Sequence, residues 1–325
     1  MKEYLLAASL TTCLFYLTPA PGTLAATIGD LPETKNPEVT LFGAGSLRAA
    51  LGEIAQDFST KNNITFTTDF RPSDQQRDRI LIGGERPDIF ASADLGNPQK
   101  VYEQGLSGPV INFASNRLVA VTKSGLSFTS NNFLNQLLNF RIGTPPDSDP
   151  LGNYAQDVFK KADQIQPGSL QQLRANTAFF SATQPVDTSN SGLPWQTIPT
   201  NRNNAGGSIY YALVESLNPV DVFLAYNTSA LLAQGISADL QVFELPENLA
   251  VTADYGLTVL NNASPGGRKF ADYIVSSDGQ KVLAKYGFSP PSTSVPEPNT
   301  IGGLFLAFGL AFALKKKQVV KVGNN

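Results

Sequence analysis

Residues 39–46 read Val39-Thr40-Leu41-Phe42-Gly43-Ala44-Gly45-Ser46, and this stretch decides the fold class. Its first four residues are apolar or β-branched and predict a strand, and the two glycines that follow predict a turn. Ser46 then opens a segment whose apolar side chains at 47, 51, 54, 55 and 58 repeat with the 3.6-residue period of a helix. A strand, a glycine turn and a helix in direct succession indicate an α/β protein with parallel strands.

The same alternation continues along the chain. Residues 64–70 alternate as a strand, Pro72 ends it, and Ser73 is predicted to cap a helix, as Ser46 is. Residues 177–207 are polar and weakly patterned, which predicts an insertion or long loop anchored by Trp195. Further strands are predicted at 88–91, 116–122, 141–143, 221–226 and 256–260, with two terminal helices within 265–286.

Composition excludes several classes of function. The 325 residues include 24 Lys and Arg against 27 Asp and Glu, a net charge of −3, so nucleic acid is not an expected partner. The chain has no His and one Cys, Cys13. Ser-His and Cys-His nucleophile pairs and His-ligated metals are therefore excluded. No cofactor is implied.

Both ends of the chain indicate export. Residues 1–26 combine Lys2, an apolar stretch and small residues before a cleavage point, which is typical of a signal peptide. Near the other end, residues 291–298 form a Pro/Ser-rich spacer that closes with Pro296-Glu297-Pro298. Residues 299–325 then contain a short apolar helix and three lysines, and 14 apolar residues span only ~21 Å of helix. This order resembles the PEP-CTERM sorting signal, which implies cleavage by an exosortase-type enzyme; a plain anchor is the alternative.

Two of the predicted helices begin with a serine after a short strand. Free N–H groups and the positive end of a helix dipole favour anions, and Ser46 and Ser73 each add a hydroxyl. Ordinary capping explains each serine equally well.

A family resemblance covers residues 38–289. Its most specific part is Pro87-Asp88-Ile89-Phe90-Ala91-Ser92-Ala93-Asp94. Four further stretches accompany this block: Gly43-Ala44-Gly45-Ser46, Arg71-Pro72-Ser73, Asp149-Pro150-Leu151-Gly152 and Asp221-Val222-Phe223-Leu224-Ala225-Tyr226. In this order they resemble the molybdate/tungstate-binding subunits of ABC importers, which are type II periplasmic binding proteins. Residues 156–220 match poorly.

The resemblance implies a two-lobe α/β fold in which each lobe is a mainly parallel sheet flanked by helices and two strands form the hinge. Residues 27–117 with 254–290 would form lobe 1, and residues 118–253 would form lobe 2. The implied partners are molybdate or tungstate, an ABC permease, signal peptidase and the exosortase. The protein is expected to be a monomer in the periplasm or at the cell surface, tethered by its C-terminal helix before processing.

The family's oxyanion contacts fall on five positions of this sequence. They comprise two serine hydroxyls, two backbone N–H groups and one tyrosine hydroxyl, at Ser46, Ser73, Leu151, Ser208 and Tyr226. Asp149 is a secondary contact, because a relative in this family binds an octahedral oxyanion through two carboxylates. This chain has Ala225 where the second carboxylate would stand, which favours the neutral, tetrahedral mode; Asp149 also fits a simple turn.

Neutral donors suit this cargo because molybdate and tungstate are doubly charged at pH 7 and accept hydrogen bonds only. Each hydrogen bond to a charged group contributes ~1.5–3 kcal/mol. Hydrogen phosphate carries a proton that such a site leaves unpaired. The alternatives are another anion such as sulfate or phosphate, ferric ion, and a surface adhesion role. An enzyme built on Asp88 and Asp94, or on Asp147 and Asp149, is not expected.

Overall fold

The computed structural model describes residues 38–181, 195–197, 200–202 and 204–292. The predicted signal peptide, the PEP motif and the C-terminal apolar helix lie outside these residues. Within the described ranges, no helix is long and apolar enough to cross a membrane.

Strands and helices alternate through the first half of the described chain, as the sequence predicts. The strands are β1 (Glu38–Ala44), β2 (Thr65–Arg71), β3 (Ile89–Ser92), β4 (Ile111–Lys123), β5 (Ile142–Thr144), β6 (Thr177–Ser181), β7 (Trp195–Thr197), β8 (Val222–Tyr226), β9 (Leu240–Glu244) and β10 (Thr252–Val259). The α-helices are α1 (Arg48–Asn62), α2 (Ser73–Leu81), α3 (Gly96–Glu103), α4 (Phe133–Leu137), α5 (Pro150–Ile165), α6 (Ser169–Ala175), α7 (Ala205–Tyr210), α8 (Asn227–Ile236), α9 (Pro265–Val275) and α10 (Ser277–Lys285).

The first sheet has the strand order β2-β1-β3-β10-β4. Strands β1, β2 and β3 are parallel, and β10 returns antiparallel between β3 and β4. The helical period predicted from Leu51, Ile54 and Phe58 is confirmed, because all three side chains of α1 are buried. Helices α9 and α10 pack against α1 on the same layer.

The second sheet places β9 and β8 on either side of β4, followed by β5, β6 and β7. Here β8, β5, β6 and β7 run parallel, and β4 is antiparallel to β8.

One long strand joins the two sheets. Residues Ile111–Arg117 of β4 pair with β10, whereas residues from Leu118 onward pair with β8 and β9. A second crossing follows β9, where Leu118 N–H donates to the carbonyl of Val251 at 3.1 Å. The molecule therefore has the expected two-lobe α/β architecture, with two crossing segments between the sheets.

The sequence prediction of a long loop over 177–207 is wrong at its start. Residues Thr177–Ser181 form β6, and Phe179 and Phe180 are buried. The short apolar centre of this five-residue strand was obscured by the polar residues that follow it. Residues 182–194 and the side chain of Trp195 lie outside what the structure describes, so the anchoring role of Trp195 stays a prediction.

Candidate functional site

A cleft of about 700 Å³ lies at the carboxyl ends of the parallel strands of both sheets. The segments after β1, β2 and β3 line it on one side, and those after β5, β6 and β8 line it on the other. This edge is where α/β sheets bind ligands. Among its lining residues are all six that the sequence analysis singled out: Ser46, Ser73, Asp149, Leu151, Ser208 and Tyr226.

The two serines of the first sheet lie in the cleft wall, but neither caps a helix. Ser46 lies in a short 3-10 turn, Gly45–Leu47, before α1, and its Oγ lies 3.0 Å from the Tyr255 hydroxyl. Ser73 is the first residue of α2 rather than its N-cap, and its Oγ accepts a hydrogen bond from Ala93 N–H at 3.1 Å. The capping prediction is therefore wrong for both, since the hydroxyls are held by groups distant in sequence.

The start of α5 is capped by a carboxylate. Asp149 is the N-cap, Pro150 occupies the first helical position, and Asp149 Oδ1 accepts from Leu151 N–H at 2.8 Å. Aspartate at the N-cap and proline after it are both favoured at a helix start. The Leu151 N–H that the sequence assigns to a ligand is thus already bonded to Asp149 in this structure.

Ser208 lies one turn inside α7. Its N–H donates to the carbonyl of Asn204 at 2.9 Å, and its hydroxyl donates to the same carbonyl at 2.9 Å. The side chain of Asn204 in turn accepts from Gly207 N–H at 2.8 Å. Since the helix begins at Ala205, the Ser208 N–H serves the helix, and its hydroxyl is also bonded to a backbone carbonyl of the preceding turn.

Tyr226 ends β8 and has the most unusual environment in the cleft wall. The residue is 4% exposed, and in the described part of the chain its hydroxyl has no hydrogen-bond partner. The ring packs edge-on to Tyr154 and Tyr255, with ring centroids 6.4 and 5.6 Å away. Burial raises the pKa of the Tyr226 hydroxyl well above its ordinary value, so it remains a neutral donor.

Two of the acidic side chains that line the cleft have raised pKa values. Burial raises the pKa of the Asp149 carboxyl to about 7, with the charge of Asp74 adding to the effect and the Leu151 N–H opposing it. Burial likewise raises the pKa of Asp74, against a hydrogen bond from Ser148. The cleft can therefore hold a carboxyl group that is partly protonated near neutral pH.

Sequence reasoning missed several groups that shape this site. Tyr255, fully buried in β10, contacts Ser46, and the side chain of Asn116 donates to Thr228 Oγ1 at 2.9 Å close by. Arg48 and Arg71 also line the cleft; Arg48 donates to the carbonyl of Phe70 at 2.7 Å. No local pattern assigns a role in the site to Tyr255 or Asn116, because their partners lie far along the chain.

Protein relatives with similar sequences include molybdate-binding proteins. A protein of Pasteurella multocida, PM1146, is 27% identical over 255 residues, covering 77% of this chain and 98% of its own length. The molybdate-binding protein ModA of Mycobacterium bovis is 24% identical over 265 residues, which cover 78% of this chain and 85% of the ModA chain.

Solved structures share the fold at lower sequence identity. The periplasmic molybdate-binding protein of Azotobacter vinelandii superposes with a TM-score of 0.59 at 16% identity, covering 78% of this chain and 99% of its own. The sulfate-binding protein SubI of Mycobacterium tuberculosis superposes with a TM-score of 0.60 at 14% identity. The superposition covers 85% of this chain and 92% of SubI. These likenesses establish the two-lobe fold.

A family model covers the whole region that builds the cleft. It is described as bacterial extracellular solute-binding protein and matches residues 39–289, from the first residues of β1 to the segment after α10. The matched span includes every residue that the sequence analysis placed in the site. The chain belongs to this family of extracellular solute-binding proteins, which is not a family of enzymes.

Proposed function

We propose that the protein captures molybdate or tungstate in the cleft and delivers it to an ABC permease. The observation that carries this proposal is the Tyr226 hydroxyl, which is buried without a partner in the described part of the chain. Leaving a buried hydroxyl unpaired costs ~1–3 kcal/mol. An oxyanion in the cleft removes that cost by accepting its hydrogen bond.

The remaining donors come from both sides of the cleft. Ser46 and Ser73 contribute hydroxyls from the first sheet, and Tyr226 contributes one from the second. Leu151 N–H, shared between Asp149 Oδ1 and the ion, and Ser208 complete the proposed set. Because a dianion buried without partners is prohibitively unstable, its binding requires this whole set together.

Such a set also explains closure of the cleft. We propose that the lobes divide at residues 117/118 and 253/254, as the sequence predicts, and that only a closed cleft brings both donor groups to one ion. An ion that binds the closed state better shifts the population towards it. A hydrogen bond between Ser148 and Asp74 already joins the α5 loop to α2 across the cleft.

The relatives support the choice of cargo. Two chains similar in sequence or fold are named molybdate-binding proteins, whereas a third neighbour is named a sulfate-binding protein. Sulfate has the same charge but is smaller, so the width of the closed cleft decides between them. No second carboxylate stands beside Asp149 at Ala225, which favours a tetrahedral oxyanion held by hydrogen bonds.

Calorimetric titration of the mature protein with molybdate, tungstate, sulfate and phosphate tests the cargo. We expect heat with the first two anions and at least tenfold weaker binding of the others. The double variant Ser46→Ala with Ser73→Ala loses two charge-assisted hydrogen bonds and should bind at least 100-fold more weakly. Ser124→Ala, an exposed serine after β4, is the control and should bind normally. Absence of heat with both metal oxyanions refutes the assignment.

The C-terminal segment carries a separate proposal about location. Family membership implies export, and we propose that the tail after residue 298 is removed by an exosortase-type enzyme after serving as a temporary anchor. Mass spectrometry of the protein isolated from its native cell envelope tests this. A C-terminus near residues 296–298 supports processing, and an intact Asn325 refutes it.

A further inference from the structure

The cleft contains an acceptor that a site for fully ionised oxyanions does not need. Asp149 lines the cleft at the start of α5, among the hydroxyls proposed to hold the ion. Its Oδ1 accepts from Leu151 N–H, so Oδ2 is the carboxyl oxygen proposed to meet a ligand. An ionised carboxylate there would face the bound anion with like charge and no donor between them.

A proton resolves this conflict. If Asp149 is protonated, its free oxygen becomes an O–H donor to the anion while the other oxygen still caps α5. If the anion itself carries a proton, the ionised carboxylate accepts it. In both cases one proton lies between the carboxyl group and the ligand oxygen. The two cases differ only in which of these two groups brought that proton.

We propose that Asp149 and the bound oxyanion share one proton, so that capture of a fully ionised dianion takes up a proton from solution. Capture of hydrogen phosphate, which brings its own proton, does not. This inference rests on the oxyanion-binding function proposed above and adds a determinant of pH dependence and ligand class to that site.

A second observation places a ligand oxygen near Asp149. The Tyr226 hydroxyl is buried and unpartnered within the described residues, and the charge of Asp149 is among the influences that raise its pKa. Both residues line the same cleft, Tyr226 at the end of β8 and Asp149 at the start of α5. The proposal requires that a ligand oxygen held by Tyr226 also reach the Asp149 carboxyl group.

The charged and titratable groups around Asp149 favour the protonated form. Asp74, at the start of α2, and Asp94, after β3, both act on it with negative charge. The Asp149 carboxylate in turn raises the pKa of Tyr226 and of Tyr255. Other charged or titratable side chains in this region are Tyr154 of α5 and, along the cleft, Asp69, Arg48 and Arg71. Asp69 pairs with Arg71 at 3.0 Å, and Arg48 is bound to the Phe70 carbonyl.

Asp74 is a poorer proton carrier than Asp149. Its carboxyl group accepts hydrogen bonds from Gln75 N–H, at 2.9 Å, and from Ser148, and the charge of Arg77 favours its ionised form. Asp149 has one backbone donor and no cation among the influences on its pKa. The proton is therefore placed on Asp149.

Calorimetry of the mature protein in two buffers of different ionisation enthalpy measures the proton uptake directly. With molybdate at pH 8 we expect uptake of about one proton, and affinity should fall about tenfold for each pH unit above 7. Asp149→Asn keeps an oxygen for the Leu151 N–H and offers a permanent N–H donor to the anion. This variant should show no uptake and bind molybdate at least as tightly as wild type at pH 8.

Two further variants keep the test decisive. Asp149→Ser retains a capping residue without a titratable group and should also abolish proton uptake. It provides a second test in case the Asp149→Asn variant does not fold. Asp147→Asn changes a neighbouring exposed carboxylate that pairs with Arg174 outside the cleft and should leave uptake unchanged. Binding without proton uptake in wild type, or unchanged uptake in Asp149→Asn, overturns the inference. No heat with any of the four anions overturns the oxyanion function itself, and the inference with it.

Discussion

Replacing Tyr226 by phenylalanine should stabilise the protein and weaken its binding at the same time. The hydroxyl is buried in a residue only 4% exposed and makes no hydrogen bond in the described part of the chain. Phenylalanine keeps the ring that packs against Tyr154 and Tyr255 and removes the unpaired oxygen. Removing it recovers about 1 kcal/mol of the desolvation cost, which corresponds to a rise in melting temperature of ~2–4 °C for a domain of this size.

Binding should respond in the opposite direction. A hydrogen bond to a charged ligand contributes ~1.5–3 kcal/mol, and each 1.4 kcal/mol is about tenfold in affinity. Tyr226→Phe should therefore bind molybdate roughly 10- to 150-fold more weakly. Urea unfolding of the ligand-free protein and calorimetric titration provide the two measurements.

A matched control separates this effect from the general effect of losing a tyrosine hydroxyl. Tyr102 on α3 is 43% exposed and does not line the cleft. Tyr102→Phe should change neither stability nor affinity by more than ~0.5 kcal/mol, as is usual for surface positions. If Tyr226→Phe loses stability without ligand, or binds molybdate normally, then the hydroxyl is not held for a ligand and the reasoning fails.

Three further perturbations follow from contacts in the cleft wall. In Gly152→Ala the new Cβ would lie 2.0 Å from the Pro146 carbonyl oxygen, so we expect a loss of ~1–3 kcal/mol in urea unfolding; Gly52→Ala in α1 meets no atom within 4 Å and should gain ~0.5–1 kcal/mol. Ser73→Ala leaves the Ala93 N–H without its acceptor and should cost ~1 kcal/mol in the same assay, and an unchanged midpoint would contradict this contact. For Asp149, whose folded pKa of about 7 lies above its unfolded value, the folded state binds more protons between pH 4 and 7, so stability falls as pH rises through that window. Asp149→Asn should remove that slope, as measured by thermal unfolding at intervals of pH, and a slope that persists would contradict the assignment.

The sequence was sufficient to predict the fold where local patterns and tertiary pairing agree. Strand β1 and helix α1 were predicted because the apolar period of each matches the face it buries. The two terminal helices were predicted as well, because a polar stretch that begins at Ser276 separates them. In the structure Ser276 caps the start of α10. Strand β6 was missed because its three apolar residues, Ala178, Phe179 and Phe180, precede a long polar segment that dominates any local window.

The sequence singled out residues that line one cleft, but it could not predict the hydrogen bonds that they make. The resemblance to a known family placed six residues that all line one cleft. The bonds that hold them depend on contacts between distant residues, such as Ser46 with Tyr255, 209 residues apart. Whether the Leu151 N–H is free depends on the rotamer of Asp149, which no sequence pattern specifies.

Because Asp149 lies among neutral hydroxyl donors, the preference of the cleft for molybdate over phosphate should depend on pH. Neutral donors favour a fully ionised dianion, because a backbone N–H cannot accept from a protonated oxygen and a hydroxyl that does so no longer donates to the anion in the same way. Asp149 adds a group that is a donor when protonated and an acceptor when ionised, with its pKa near 7. Discrimination against hydrogen phosphate should therefore be strongest below pH 7, where the acid adds one more donor, and weaken above it. The ratio of molybdate to phosphate affinity is thus a function of pH, and a constant ratio from pH 6 to 8.5 would show that Asp149 lies outside the ligand's reach.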